Sequence, residues 1–394
     1  MDYQAPLRIP MSSPDLTESE RQAVMSVLQT PNLSMGPQIR AFEEAFRRFT
    51  GSRHALAVNS GTAGLHLCVL ACGVGAGDRV LTTPFSFVAS TNALLYERAV
   101  PVFVDVDPVT GNMDAELTAQ AAEDLQAGGA AAQRWLPRKG ADTLGTLKSV
   151  LAVDVFGQPA DYDALRDISS RHGLSLIEDS CEALGAEYKG RPAGTLGDCG
   201  VFAFYPNKQI TTGEGGLVIT DDDHMSMLMQ ALRNQGRAPG DTWLEHTYLG
   251  YNYRLDELSA ALGAAQMARI EELLTSRQQV ADWYAARLAE IPGVEAPVLI
   301  PSTTRVSWFV YVIRLARGAD RAALAERLGA RGVPVRPYFS PIHLQPYMVE
   351  RFGYHRGDFP VTEDLGERGL ALPFSGKMSE EQVDAVCRTL ASCL

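Results

Sequence analysis

Between residues 54 and 220 short apolar runs alternate with amphipathic helical patterns, and this alternation constrains the fold more than any other feature of the chain. Runs at 54–58, 79–83, 100–106, 150–156, 174–177, 201–205 and 217–219 read as strands. Helical patterns at 63–72, up to about Tyr96, at 161–172 and at 222–232 stand between or after them. Strands this continuously apolar are covered on both faces, so the arrangement predicts an α/β fold with a mainly parallel sheet between helical layers. Further on, a long helical pattern at 255–288, a linker at 293–301, a strand at 306–315, a helix at 321–330, a short strand at 333–336 and a closing helix from near Ser379 predict a smaller C-terminal α+β domain. The expected division is a large domain, 1–260, and a small one, 261–394. With 394 residues, 46% of them hydrophobic, the chain is large enough for two cores.

Upstream, Thr17 with Glu20 three residues later is a capping-box pattern that opens an amphipathic helix over 13–29. NLSMGP ends it, and Ile39, Phe42, Phe46 and Phe49 then recur at helical spacing as core. Residues 114–147 read as a helix plus a surface excursion without chemistry. A formal net charge of −12 provides no basic face, so nucleic acid is not an expected partner. Six scattered cysteines form neither a CxxC nor a zinc pattern, and they read as reduced thiols with no metal site. The start, MDYQAPLRIP, lacks a basic segment followed by an apolar one, and no apolar run is long enough to span a membrane. The expectation is a soluble, cytoplasmic protein.

Three strand ends carry polar groups that sheets of this kind present to ligands. The first strand runs into Asn59-Ser60-Gly61-Thr62 and then directly into a helix, an arrangement that aims backbone N–H groups and the helix dipole at an anion. Taken alone, the turn reads first as an ordinary helix cap. The strand at 174–177 ends in Glu178-Asp179, followed by small and apolar residues that favour a cleft for Asp179 over open solvent. The third end is CGVFAFYPNKQITTGEGGLVIT, which delivers Lys208 into a Thr- and Gly-rich turn between two apolar strands. A lysine there either snorkels to water or is neutralised, and one route to neutralisation is a Schiff base with an aldehyde. Together the three match the needs of pyridoxal 5′-phosphate: donors for the phosphate, an anion for the ring nitrogen and an amine for the aldehyde. Phe87 is the candidate ring to stack on the pyridine.

The stretches SMGPQIRAFE, NSGTAGLHL, TTPFSFVAST, PVFVDVD, VFGQPADYDAL, IEDSCEALGAEYKG, FAFYPNKQITTGEGG, LGYNYRLDELSAALG and VRPYFSPIHLQPY, in that order along nearly the whole chain, resemble the DegT/DnrJ/EryC1/StrS sugar aminotransferases. The resemblance implies an aspartate aminotransferase-like fold (fold type I) with a seven-stranded sheet. It implies Lys208 as Schiff-base lysine and proton shuttle, Asp179 as partner of the pyridinium nitrogen, and Phe87 as stacking ring. Ser60, Gly61 and Thr62 would hold the phosphate, and Asn252 would reach the phosphate of a neighbouring subunit in a homodimer with shared active sites. Glu182 occupies the position beside the cofactor's phenolic oxygen, where glutamate resembles the perosamine synthases. Many members carry a serine five residues before the lysine; Ala203 stands there, which shifts weight to Ser60 or Thr212. Tyr338 and His343 fall in the loop that approaches a nucleotide sugar in the family, with packing an equal alternative. Arg237 meets a substrate phosphate or caps a helix.

The implied activity is transfer of an amino group from L-glutamate, giving 2-oxoglutarate, to the keto group of a nucleotide-activated deoxysugar in polysaccharide or glycan biosynthesis. Competing readings are a cyclitol or aminobenzoate-type aminotransferase and a non-catalytic regulator that binds the cofactor. A dinucleotide oxidoreductase or P-loop kinase would need GxGxxG or GxxxxGK[ST], and neither is present.

Overall fold

The computed structural model describes residues 9–141 and 143–394. A seven-stranded sheet has the order His54–Val58, Gly216–Thr220, Cys199–Ala203, Ser175–Asp179, Leu147–Val153, Arg79–Thr82, Val100–Phe103. Gly216–Thr220 runs antiparallel to both of its neighbours, and every other pair in the sheet is parallel. The period of two along a strand divides its residues between the two faces. Leu151 and Val153 join one core with Leu67, Ile177, Val201 and Val218, while Val150 and Ala152 join the other with Tyr162, Leu165 and Ile168. Both faces are covered, which is why these strands read as unbroken apolar runs.

One edge of this sheet collects the ends that matter. Val58, Thr82, Val153, Asp179 and Ala203 are the last residues of their strands, and Gly216, the first of its own, pairs with both Val58 and Ala203. The connections that leave this edge therefore bring NSGT, PFSF, the residues after Asp179 and the lysine turn together.

A second, fully antiparallel sheet has the order Val294–Glu295, Tyr311–Leu315, Gly369–Leu372, Arg336–Pro337. Its core combines Tyr284, Tyr311, Leu324, Leu328, Val383, Val386 and Leu390. Thr303–Arg305 reaches back to pair with Glu187–Tyr188, which pairs in turn with Arg191–Pro192.

The capping box is present: Thr17 caps Glu18–Leu28, with Glu20 bonding back to the cap. The helical pattern at 255–288 differs from expectation, for it is two helices, Glu257–Met267 and Ile270–Leu288. Arg269 leaves the helical region there, with φ −123°, and its guanidinium reaches Asp15 at 3.4 Å and Glu20 at 3.2 Å. An ion cluster with residues 250 positions away cannot be read from local periodicity. Glu257, at the start of the first helix, is buried because its carboxylate accepts the N–H groups of Gly36, Gln38 and Ile39 at the start of the helix Pro37–Thr50. The strand expected at 333–336 shrinks to Arg336–Pro337, and the helices Pro346–Phe352 and Pro360–Arg368 and the strand Gly369–Leu372 are additions to the predicted set. Among the described residues no helix is long and apolar enough to cross a membrane.

Beneath the ligand edge lies a buried pair of carboxylates. Burial pushes the Glu178 carboxyl up, and the N–H groups of Gly194, Leu196 and Gly197, which it accepts, pull it partly back toward its charged form. Asp154 has a thinner cradle, the Ala160 N–H at 3.1 Å and the Tyr162 hydroxyl at 2.8 Å, both to Oδ1; burial, followed by the charge of Glu178, pushes its carboxyl well above the usual range. Ser180 Oγ lies 2.7 Å from Asp154 Oδ2 and 3.1 Å from Glu178 Oε1. One hydroxyl proton cannot serve both carboxylates, so a proton on Asp154 completes the chain of bonds. Above the ordinary carboxylate pKa the native chain thus keeps a proton that the unfolded chain has lost, and stability falls as pH rises through that window. Asp154→Asn should flatten this slope in urea unfolding from pH 4 to 8, roughly the window set by these groups. An unchanged slope would place the proton elsewhere.

Candidate active site

The four connections at the sheet edge enclose a cavity of about 430 Å³. Ser60, Gly61, Thr62, Phe87, Asp179, Glu182, Lys208 and Tyr338 line it, so eight of the site residues expected from the sequence converge there.

On one side the helix Gly61–Ala71 begins at Ser60, whose hydroxyl accepts the N–H of Ala63 while its carbonyl accepts that of Gly64. The turn is therefore a helix cap that still leaves donors for an anion. Ser60 is the cap, and the N–H groups of Gly61 and Thr62, outside the helix's own ladder, are positioned for an anion. Gly61 is required by close approach: a Cβ there would meet Ala203 Cβ at 2.7 Å. Gly216 answers the same constraint from the neighbouring strand, since its Cβ would lie 2.6 Å from the Ser60 carbonyl carbon. The two glycines let the start of the helix pack directly against the neighbouring strands.

Opposite, Asp179 closes its strand with the side chain 4% exposed. Oδ2 accepts the Ser90 hydroxyl at 2.6 Å, and Oδ1 the Cys181 N–H at 3.2 Å. These bonds orient the carboxylate and leave lone pairs toward the cavity. Phe87, 63% exposed, forms a side wall.

Lys208 projects from the turn between the strands Cys199–Ala203 and Gly216–Thr220, where its N–H bonds the Tyr205 carbonyl at 2.9 Å. Nζ lies 3.6 Å from Glu182 Oε1 and 3.8 Å from the centre of the Phe309 ring. The side chain is 13% exposed, so the lysine faces the cavity and does not snorkel to water. Glu182 is fixed by the Phe156 N–H, which donates to Oε2 at 2.9 Å. Burial pushes its carboxyl up, and the Lys208 ammonium pulls it partly back. Burial, with Glu182 nearby, pushes the Tyr338 hydroxyl up to about 12, so it stays a donor at neutral pH.

Other expectations are corrected or displaced. Thr212 does not face the cavity; its hydroxyl donates to the Glu214 carbonyl at 2.6 Å and braces the lysine turn. His343 is fully buried, with Nε2 3.0 Å from Glu363 Oε1 and its ring against Phe359, so packing is its role. Arg237 lies over Trp243 in a separate cleft with Arg233 and Arg254. Asn252 is exposed outside the cavity of its own chain. Conversely, Ser90, Cys181 and Phe309 line the cavity without having been singled out. Ser90 sits in the TTPFSFVAST stretch, one helical turn after Phe87, and that spacing was the available signal. Burial and the Asp179 charge hold the Cys181 thiol well above its usual range, as an inert packing group.

Free N–H groups at a helix start, an oriented buried carboxylate and an amine lining the same cavity fit pyridoxal 5′-phosphate in donor set and charge. The sequence profile of the DegT/DnrJ/EryC1/StrS aminotransferase family matches residues 14–391. The chain is 36% identical over 390 residues to the GDP-perosamine synthase of Caulobacter vibrioides, covering 98% of both chains. In structure it resembles PseC of Helicobacter pylori, an aminotransferase of pseudoaminic acid biosynthesis, with a TM-score of 0.87, 26% identity and coverage of 98% and 99%. It also resembles the PLP form of Spr1654, a putative sugar aminotransferase from Streptococcus pneumoniae, with a TM-score of 0.87, 26% identity and 98% coverage of each chain.

Proposed function

The chain belongs to the DegT/DnrJ/EryC1/StrS aminotransferase family and is a pyridoxal-phosphate-dependent sugar aminotransferase; we propose that it moves the amino group of L-glutamate to the keto group of a nucleotide-activated deoxysugar. The observation that carries this reading is the Lys208 amine, held 3.6 Å from Glu182 in an aromatic-walled cavity that Asp179 also lines. The nucleotide sugar is suggested by the 36% identity to a GDP-perosamine synthase, and glutamate is the donor that the family resemblance implies.

When bound, the cofactor supplies an electron sink that stabilises negative charge at the substrate carbon. The protein does the rest. Gly61 and Thr62 would hold the phosphate with backbone N–H groups, and Asp179, fixed by Ser90, would keep the ring nitrogen protonated. Phe87 would restrain the ring from one side. Lys208 Nζ takes the proton from the donor's α-carbon and returns one to the acceptor carbon in the second half of the cycle. Glu182 alternates as counter-ion and proton store beside that amine, a role suited to a carboxyl raised by burial. The Tyr338 hydroxyl offers the incoming sugar a hydrogen bond.

In this reading two copies share their sites, with the exposed Asn252 of each reaching the cofactor phosphate of the other. The division is into a large cofactor domain, 1–260, and a small domain, 261–394, acting in the cytoplasm in the synthesis of a surface polysaccharide or glycan. The test is incubation with L-glutamate and a panel of nucleotide-linked 3-keto and 4-keto deoxysugars, read by mass spectrometry. One member should gain an amine while 2-oxoglutarate forms in equal amount. Turnover of a cyclitol ketone with none of the panel would overturn the nucleotide-sugar assignment.

A further inference from the structure

Behind the lysine turn, outside the cavity, lies a cation that the chemistry above does not use. Arg277, on the helix Ile270–Leu288, is 4% exposed. A buried guanidinium is costly unless its donors are satisfied, and among the described residues no carboxylate lies within ion-pair reach of it. Backbone carbonyls satisfy it instead. Nη2 donates to the carbonyl of Lys208 itself at 2.5 Å and to that of Asn207 at 3.4 Å. Nη1 donates to the carbonyls of Trp308 at 3.2 Å and Phe309 at 3.4 Å. One planar group thus fastens the segment that carries the reactive amine to the segment whose ring touches it, Phe309 being 3.8 Å from Nζ. Gln209 makes a parallel tie, its side-chain amide donating to the Glu182 carbonyl at 2.6 Å and to Ser307 Oγ at 2.8 Å. Packing alone does not call for a charge in this place.

We propose that Arg277 is a positioning residue for Lys208: its guanidinium clamps the lysine turn to the Trp308–Phe309 segment and so sets the reach of the amine and its contact with the Phe309 ring. The proposal rests on the reading of Lys208 as the cofactor-bearing lysine and adds a determinant of its reactivity from outside the cleft. A displacement of about 1 Å at a reacting group costs on the order of 10²-fold in rate, so loosening this clamp has a measurable effect.

The experiment compares wild type, Arg277→Met, Arg277→Lys and Phe309→Leu. It reads cofactor affinity by equilibrium dialysis, the single-turnover loss of the lysine-bound cofactor's visible band on adding L-glutamate, and acetylation of Lys208 in cofactor-free protein. Wild type must show the band and lose it with glutamate; if it does not, the reading of Lys208 fails before the clamp is tested. Given that, Arg277→Met should slow loss of the band by roughly 10- to 100-fold while cofactor affinity, set by the Gly61 cradle and Asp179, changes little. Its Lys208 should acetylate faster than in wild type, with exposed Lys139 unchanged as the internal control. Arg277→Lys keeps the charge with a poorer fork and should recover part of the rate. Band loss at the wild-type rate in Arg277→Met overturns the proposal, as does a rate that Arg277→Lys leaves at the Met level while restoring thermal stability. If Arg277→Met fails to fold, Arg277→Lys and Phe309→Leu decide the matter, and wild-type rates in both overturn it.

Discussion

Lys208→Ala is expected to fold, to bind pyridoxal phosphate non-covalently and to lose transamination by on the order of 10⁴-fold, the upper end of what a positioned acid–base group contributes. The size follows from the surroundings. Glu182, the nearest group able to carry a proton, is held by the Phe156 N–H and has Lys208 as its ion-pair partner. Without the ammonium, burial and the Asp179 charge push the Glu182 carboxyl up against the Phe156 N–H alone, so it holds its proton instead of passing it on. Small primary amines added in solution should restore part of the rate, because the vacated cavity admits them and they replace the missing base. Single-turnover kinetics with L-glutamate checks both statements, and a variant within about 10-fold of wild type would remove Lys208 from the chemistry.

Asp179→Asn should cost on the order of 10²- to 10³-fold in kcat with saturating cofactor, the range found when one pre-oriented electrostatic partner is removed. Asparagine matches the shape and keeps an oxygen for the Cys181 N–H while its amide donates to Ser90 Oγ, so the fold and the cofactor cradle should persist. The loss is electrical. An amide does not hold a proton on the ring nitrogen, and the cofactor then withdraws electrons less strongly. The buried setting, 4% exposed, denies water the chance to substitute. Steady-state kinetics at several cofactor concentrations separates this from weak binding. A variant that recovers wild-type kcat once cofactor is saturating would reduce Asp179 to a binding group.

The parts of this site that were legible in the sequence are those fixed locally. Asp179 ends a short apolar strand, Gly61 and Lys208 come within a turn of the end of theirs, and the sheet order brings those strand ends to one edge. Thr17 and Glu20 form their capping box within one helical turn, which is all the information it requires. Much of what was not legible depends on distant partners. His343 turns to Glu363, twenty positions on, because that acceptor is presented by the folded chain, and nothing in PIHLQPY states it. The helix break at Arg269 answers to Asp15 and Glu20, some 250 positions earlier. Gly369–Leu372, GLAL, has no β-branched residue and becomes a central strand only because Tyr311–Leu315 and Arg336–Pro337 flank it. Arg277 gave no signal at all, since a lone arginine in an amphipathic helix reads as surface until four carbonyls are seen around it.

The central claim is that Lys208 carries the cofactor. Reduction of the holoprotein with borohydride, followed by proteolysis and mass spectrometry, tests it most directly by converting the lysine–cofactor linkage into a stable adduct. The predicted result is a phosphopyridoxyl group on the peptide containing Lys208 alone, absent in Lys208→Ala and prevented by prior incubation with L-glutamate. An adduct on another lysine, or none in holoprotein saturated with cofactor, would contradict it.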